Sequence, residues 1–153
     1  MTNQARKHSL GLAGEFLVAG ELLRRGITAA VTYGNAKKAD VVAIKDNQAA
    51  SIEVKTTCES KWVVGNKVPN PSRELWIFVY LPRLDDLAPE FFVVTAKELN
   101  ELLAPRDGAY RIRYFEKHGK EFEGTGVVSL LREEVQEHKG AWHKVQERLA
   151  ITG

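Results

Sequence analysis

The stretch Ala39-Asp40-Val41-Val42-Ala43-Ile44-Lys45-Asp46-Asn47-Gln48-Ala49-Ala50-Ser51-Ile52-Glu53-Val54-Lys55-Thr56-Thr57 reads as two β arms around a polar turn. Both arms are rich in β-branched and apolar residues, and Lys45-Asp46-Asn47-Gln48 has turn chemistry, so a hairpin is predicted. A turn centred near Asn47 sets position 40 opposite positions 53 to 55. Strand alternation then puts Glu53 and Lys55 on one face and Ile52 and Val54 on the other. Asp40, Glu53 and Lys55 would converge within cross-strand reach. Two acids and a lysine at the ends of apolar strands are costly unless they act together.

Upstream, residues 8 to 25 predict a helix, with Leu12, Phe16, Ala19 and Leu23 at three- and four-residue spacing and Gly26 as its stop. Glu21 has Arg24 and Arg25 at i+3 and i+4 and reads as a solvated ion-pair residue. Glu15 flanks the apolar stripe with no basic neighbour on its own helix. It calls for a partner from elsewhere: a metal, a lysine, or water at a cleft.

Asp40 followed thirteen positions later by Glu53-Val54-Lys55, with Gly14-Glu15 on the first helix and Leu22-Leu23 and Gly26 closing it, resembles the motif of the PD-(D/E)XK nuclease superfamily. Its small, Holliday-junction-resolvase-like endonucleases have this order. Ala39 stands where the family has a proline, and the motif match covers roughly residues 9 to 57. The resemblance implies an α/β, restriction-endonuclease-like core. In it a central mixed sheet is flanked by helices, in the order helix, three strands, helix, strand, here as one domain over residues 1–153.

It also implies a metal-dependent endonuclease that hydrolyses DNA. Glu15, Asp40 and Glu53 carry over as the acids and Lys55 as the lysine. Asp40, Glu53 and the Val54 carbonyl would bind the metal directly, and Glu15 directly or through water. Three carboxylates without a histidine set favour a hard ion, Mg²⁺ or Mn²⁺. Such an ion polarises the phosphodiester and activates a water, while Lys55 orients or deprotonates that water and offsets charge on the phosphate. A homodimer is expected if both strands are cut. Two other readings stay open: a structural ion-pair cluster, and a catalytically inactive nuclease-fold domain that binds nucleic acid or a protein partner.

Ile27 to Tyr33 predicts a first strand, and Lys37 and Lys38 beside the hairpin are candidates for phosphate. Residues 58 to 73 read as a loop in which Lys61, Trp62, Lys67 and Arg73 suit a nucleic-acid backbone, with Trp62-Val63-Val64 equally readable as a core strand. Leu75 to Leu81 predicts a central strand covered on both faces. Glu90 to Val94 predicts another, and Thr95-Ala96-Lys97-Glu98 a capping box opening a helix through Leu103, with Pro105 following. Tyr110, Ile112 and Tyr114 alternate with Arg111 and Arg113, which predicts a strand with an arginine face suited to DNA, or an ordinary exposed hairpin. From Val127 onward, Leu131, Val135, Trp142, Val145 and Leu149 predict one or two helices interrupted near Gly140.

Length and composition bound the rest. The 153 residues, 44% hydrophobic and 27% charged, suit a globular chain with one substantial core. No apolar run is long enough for a membrane span, and the first residues lack a secretory core, so a cytoplasmic location is expected. A net charge of +2 requires any DNA-binding surface to be local. Cys58 is single, and the four histidines, spaced without zinc-site pattern, read as surface residues. There is no glycine-rich phosphate loop, which argues against a nucleotide cofactor.

Overall fold

A computed structural model describes residues 2–34, 39–124 and 126–150. Helix α1 (Asn3–Arg24) opens with the Thr2 hydroxyl accepting from the Ala5 N–H at 3.1 Å, and its chain leaves through Gly26 at φ +77°. Then come β1 (Thr28–Val31), β2 (Val41–Lys45) and β3 (Gln48–Thr57). Asp46 and Asn47 form the two-residue turn between β2 and β3 at φ 48° and 65°. That left-handed pair is what a hairpin turn with the right twist needs, and Asp and Asn tolerate it better than other side chains.

The remaining elements are β4 (Lys61–Gly65), β5 (Leu75–Tyr80), β6 (Glu90–Thr95), α2 (Ala96–His118), β7 (Val128–Leu131), a 3₁₀ helix (Arg132–His138) and α3 (His143–Ala150). The main sheet has the order β1-β2-β3-β5-β6, with β3 and β5 parallel and the other neighbours antiparallel. The expected mixed sheet is therefore present, and β5 is buried along nearly all its length, as its two-sided apolar sequence requires.

The sheet separates two cores. On one face α1 and α3 cover Ile52, Val54, Leu75 and Ile77. On the other, α2, β4 and β7 cover Trp76, Phe78, Phe92 and Val94. Trp62 fills the second core, edge-on to Phe92, with its indole N–H donating to the Val79 carbonyl at 2.9 Å. Trp142 closes the first against Phe91, under the Arg25 guanidinium.

Several expectations change. The buried face of α1 is Gly14, Glu15, Val18, Ala19 and Leu22, whereas Phe16 and Leu23 are more than half exposed. Both sides of this helix are apolar, so spacing alone cannot phase it; the small residues Gly14 and Ala19 let it lie close on the sheet. The family order places a helix between the third strand and the next. Here the segment holds β4 instead, paired with β7 in a second, two-stranded sheet. Prolines 69 and 71 and the β-branched run at Val63-Val64 favour that outcome over a helix.

Helix α2 does not stop at Pro105 but continues to His118, ending at Gly119 in the left-handed conformation. The expected strand over 110–114 is thus helical: Tyr110 and Tyr114, one turn apart, both pack edge-on against Phe122. That aromatic cluster outweighs one missing proline N–H. Val128–Leu131 is strand rather than helix because it pairs with β4. His138 is largely buried rather than a surface residue. Lys144 bridges it to Glu98, with Nζ 2.8 Å from His138 Nδ1 and 2.9 Å from the Glu98 carboxylate. Burial and the Lys144 charge hold the imidazole below its usual pKa, which favours a neutral ring that accepts a hydrogen bond from the Lys144 ammonium.

Candidate metal centre and nucleic-acid interface

Val41 lies opposite Ile52 and Lys45 opposite Gln48, which sets Asp40 beside Glu53. The Asp40 backbone is fixed from both sides. Its N–H donates to the Ile52 carbonyl at 3.0 Å, and its carbonyl accepts from the Thr32 N–H at 3.0 Å. The Thr32 hydroxyl donates to the Ala39 carbonyl. With its main chain pinned between β1 and β3, Asp40 accepts the Val54 N–H on Oδ2 at 2.9 Å. The carboxylate therefore continues the ladder at the point where β2 begins.

Alternation along β3 is as expected: Ile52 and Val54 are buried in the α1-side core, while Glu53 and Lys55 are half-buried and take the other face. A side-chain hydrogen bond with Asp40 favours the protonated form of Glu53. Burial, the Asp40 charge and that hydrogen bond push the Glu53 carboxyl up to about 7, with Glu74 adding to the rise and Lys55 opposing it. Glu53 therefore holds its proton to higher pH than a free glutamate. Two carboxylates side by side would suit a hard divalent cation in that proton's place.

Glu15 arrives from the opposite face. It is 8% exposed on α1, immediately after Gly14, where a Cβ would fall 1.8 Å from the Thr56 hydroxyl oxygen. Among the described residues no three acids, histidines or cysteines converge tightly enough to form a metal cluster. The structure thus joins Asp40, Glu53 and Lys55, and adds Glu74, which the sequence reading missed. Glu74 stands just before β5, and only the parallel β3–β5 register reveals that it lies near Glu53.

The protein-family models give no match, and neither do the curated proteins by sequence. Among solved structures, the bacterial homing endonuclease I-Ssp6803I is similar with a TM-score of 0.53 at 14% identity, covering 92% of this chain and 91% of that one. The chain has a restriction-endonuclease-like fold. A Holliday junction resolvase, Hjc, from the archaeal hyperthermophile Archaeoglobus fulgidus gives a TM-score of 0.46 at 16% identity, over 82% of this chain and 91% of that one.

Within this restriction-endonuclease-like fold the expected basic residues do not form one surface. Lys37 and Lys38 lie outside the described residues. Lys61 is exposed on β4, and Lys67 and Arg73 are exposed in the loop before β5, which Asn100 anchors by donating to the Pro69 carbonyl at 3.0 Å. Trp62 is core and unavailable for stacking on a base. Arg111 and Arg113, two apart on a helix, point in different directions and make no arginine face. Arg111 is engaged with Asp107 at 3.0 Å and with the Phe122 carbonyl.

A cavity of about 310 Å³ lies against this same part of α2, lined by Arg106, Tyr110, Arg111 and Phe122, away from the acids. Arg106 is tied there to Glu134 and to the Ser129 carbonyl. The lining of this cavity holds no lysine, unlike the acid pair at Asp40 and Glu53, which has Lys55 beside it. Cys58 is half-exposed beside Glu59. No helix among the described residues is long and apolar enough to cross a membrane.

Proposed function

We propose that this chain is a metal-dependent deoxyribonuclease that hydrolyses phosphodiester bonds at Asp40, Glu53 and Lys55, with Glu15 supporting the site from α1. The observation that carries the reading is the meeting of Asp40 and Glu53 in the β2–β3 register, with Lys55 two residues on along the same face of β3. A pair of acids held this way is unfavourable in isolation and becomes favourable when a cation replaces the proton. A similar solved structure is that of a homing endonuclease, which supports a nuclease reading.

Asp40, oriented by the Val54 N–H, and Glu53 would hold Mg²⁺ or Mn²⁺, with the Val54 carbonyl as a further oxygen ligand. When bound, the ion supplies Lewis-acid polarisation of the phosphodiester. Lys55, on the same face as Glu53, would orient the attacking water and compensate the charge growing on the phosphate oxygens. Lys61, Lys67 and Arg73, all exposed, would meet the DNA backbone, along with Lys37 and Lys38. We place the protein in the cytoplasm, acting as a homodimer where both strands are cut.

Labelled linear, nicked, branched and single-stranded DNAs incubated with EDTA, Mg²⁺ or Mn²⁺ test the reading. Cutting should require metal and fall about 10²-fold or more in Lys55→Ala that retains its circular dichroism spectrum. Tight, metal-independent DNA binding without cleavage on any substrate would point instead to a non-catalytic binding domain.

A further inference from the structure

Resting on the nuclease reading above, we infer that the cavity on α2 takes an unpaired nucleobase of the DNA, on a strand that reaches it from the acid pair along the loop between β4 and β5. The cavity, of about 310 Å³, lies at the small end of ligand pockets, which span roughly 300–1,000 Å³. Tyr110 and Phe122 wall it, their rings edge-to-face with centroids 5.3 Å apart. Arg111 stands over the Phe122 ring at 5.7 Å and is fixed by Asp107 at 3.0 Å. Arg106 is fixed by Glu134 at 2.7 Å, and Asn66 and Ser129 add an amide and a hydroxyl to the lining. Both guanidinium charges are thus balanced within the chain, so an anion gains little there. Aromatic and guanidinium planes beside neutral hydrogen-bonding groups are the chemistry that holds a flat, uncharged base by stacking and edge contacts.

The loop joins this cavity to the acids. At its β4 end Asn66 is part of the lining. In mid-loop Asn100 of α2 donates to the Pro69 carbonyl at 3.0 Å. At its β5 end the Ala96 N–H, where α2 begins, donates to the Glu74 carbonyl at 3.2 Å, and Leu75 then pairs with Ile52 beside Glu53. The loop therefore runs alongside α2 from the cavity to the strand end that carries the acids. Ala96 to Arg106 is ten residues of helix, about 15 Å, the length of about four stacked nucleotides. Lys67 and Arg73 stand exposed towards the two ends of this stretch, and among the described residues neither is engaged in an ion pair. Free cations along the way and charge-balanced rings at its end match a strand that is held by its phosphates and then by a base. Helix α2 has no buried residue after Leu103, so its second half packs on the rings that wall the cavity rather than on either core.

Fluorescence anisotropy of labelled DNA in EDTA, with KM for cleavage in Mn²⁺ measured in parallel, tests the site. A blunt duplex is compared with the same duplex carrying a single-stranded tail of about five nucleotides at its 3′ or 5′ end, and with tails holding one abasic position each. Wild type should bind one tailed duplex about tenfold or more tighter than the blunt one, and an abasic residue at one place in the tail should remove that gain. Tyr110→Leu should lose the same gain, and Glu116→Gln, exposed on the same helix outside the cavity lining, should keep it. Should Tyr110→Leu fail to fold, Asn66→Ala on the exposed loop carries the test and should lose part of the gain, while the abasic tails need no variant at all. Equal affinity and KM for tailed and blunt duplexes, or a tail gain untouched by every abasic position and by the folded variants, would overturn the base site. Metal-dependent cleavage, and the nuclease reading with it, would then still stand. Neither binding nor cleavage of any DNA by wild type would overturn both.

Discussion

Glu53→Gln is expected to abolish cleavage while making the metal-free protein more stable at pH 8. The folded Glu53 carboxyl is pushed up to about 7 from its ordinary value of 4.5. Between those two values the folded chain holds a proton that the unfolded chain has released. Folding stability is therefore greatest below about pH 4.5 on account of this group, declines as pH rises through the window, and has lost the contribution above about pH 7. A shift of this size corresponds to about 3 kcal/mol at full weight, and partial exposure reduces it to about 1–2 kcal/mol.

Glutamine keeps the shape and a donor for Asp40 but has no charge to desolvate. In EDTA at pH 8 its melting temperature should rise by roughly 2–6 °C, with the gain vanishing near pH 4.5. Cleavage should fall about 10³-fold or more, since the cation would lose one of its direct ligands. The linkage would be wrong if Glu53→Gln melted below wild type at pH 8, or if both proteins showed the same pH slope. A variant that loses activity and gains stability separates a functional acid from a structural ion pair, whose removal would destabilise.

Gly14→Ala is expected to be the most damaging single methyl in α1. An added Cβ would sit 1.8 Å from the Thr56 hydroxyl oxygen and 3.0 Å from the Thr56 Cβ. Rotating the threonine removes the first clash but not the second, so the helix must lift from β3. Alanine gains about 1 kcal/mol in helix propensity, and the overpacking exceeds it, for a net loss of about 2 kcal/mol and a fall of roughly 4–8 °C in melting temperature. Glu15 is the next residue, so lifting the helix also withdraws that acid, and activity should drop at temperatures where the variant is still folded. Thermal melts of Gly14→Ala, Thr56→Ala and the double variant check this. Thr56→Ala in the Gly14→Ala background should recover part of the loss. By contrast, Gly11 and Gly20 on the same helix face open space, and alanine there should be tolerated or stabilising.

The readable parts of the fold were those fixed by local chemistry. The Asp46-Asn47 turn and the alternation of Ile52, Glu53, Val54 and Lys55 are written in adjacent residues, and so the hairpin and the Asp40–Glu53 meeting point were legible. The capping box was too: the Thr95 hydroxyl accepts the Glu98 N–H at 3.1 Å, and Glu98 accepts the Thr95 N–H at 2.8 Å. What failed depended on distant partners. Alternating arginines and aromatics over 110–114 look like a strand until Phe122 folds back on Tyr110 and Tyr114 and rewards helical spacing. Glu74 carries no local signature, and its place beside Glu53 follows from a parallel pairing across a seventeen-residue connection, Cys58 to Glu74. On α1, two apolar faces competed, and only contact with β3 decided between them.

The two-residue turn at Asp46-Asn47 has a consequence for how the chain can vary. It lies at the far end of the hairpin from the acids, and both its residues are exposed. Yet strand sidedness has only two values, odd and even. One residue inserted into or deleted from β3 between the turn and Ile52 would either exchange Glu53 and Lys55 with Ile52 and Val54 or slide the whole strand past Asp40. The composition of the turn is therefore free to change within its left-handed requirement, whereas the spacing from Asp40 to Glu53 is constrained in parity, and a length change that keeps the strand faces must come in steps of two.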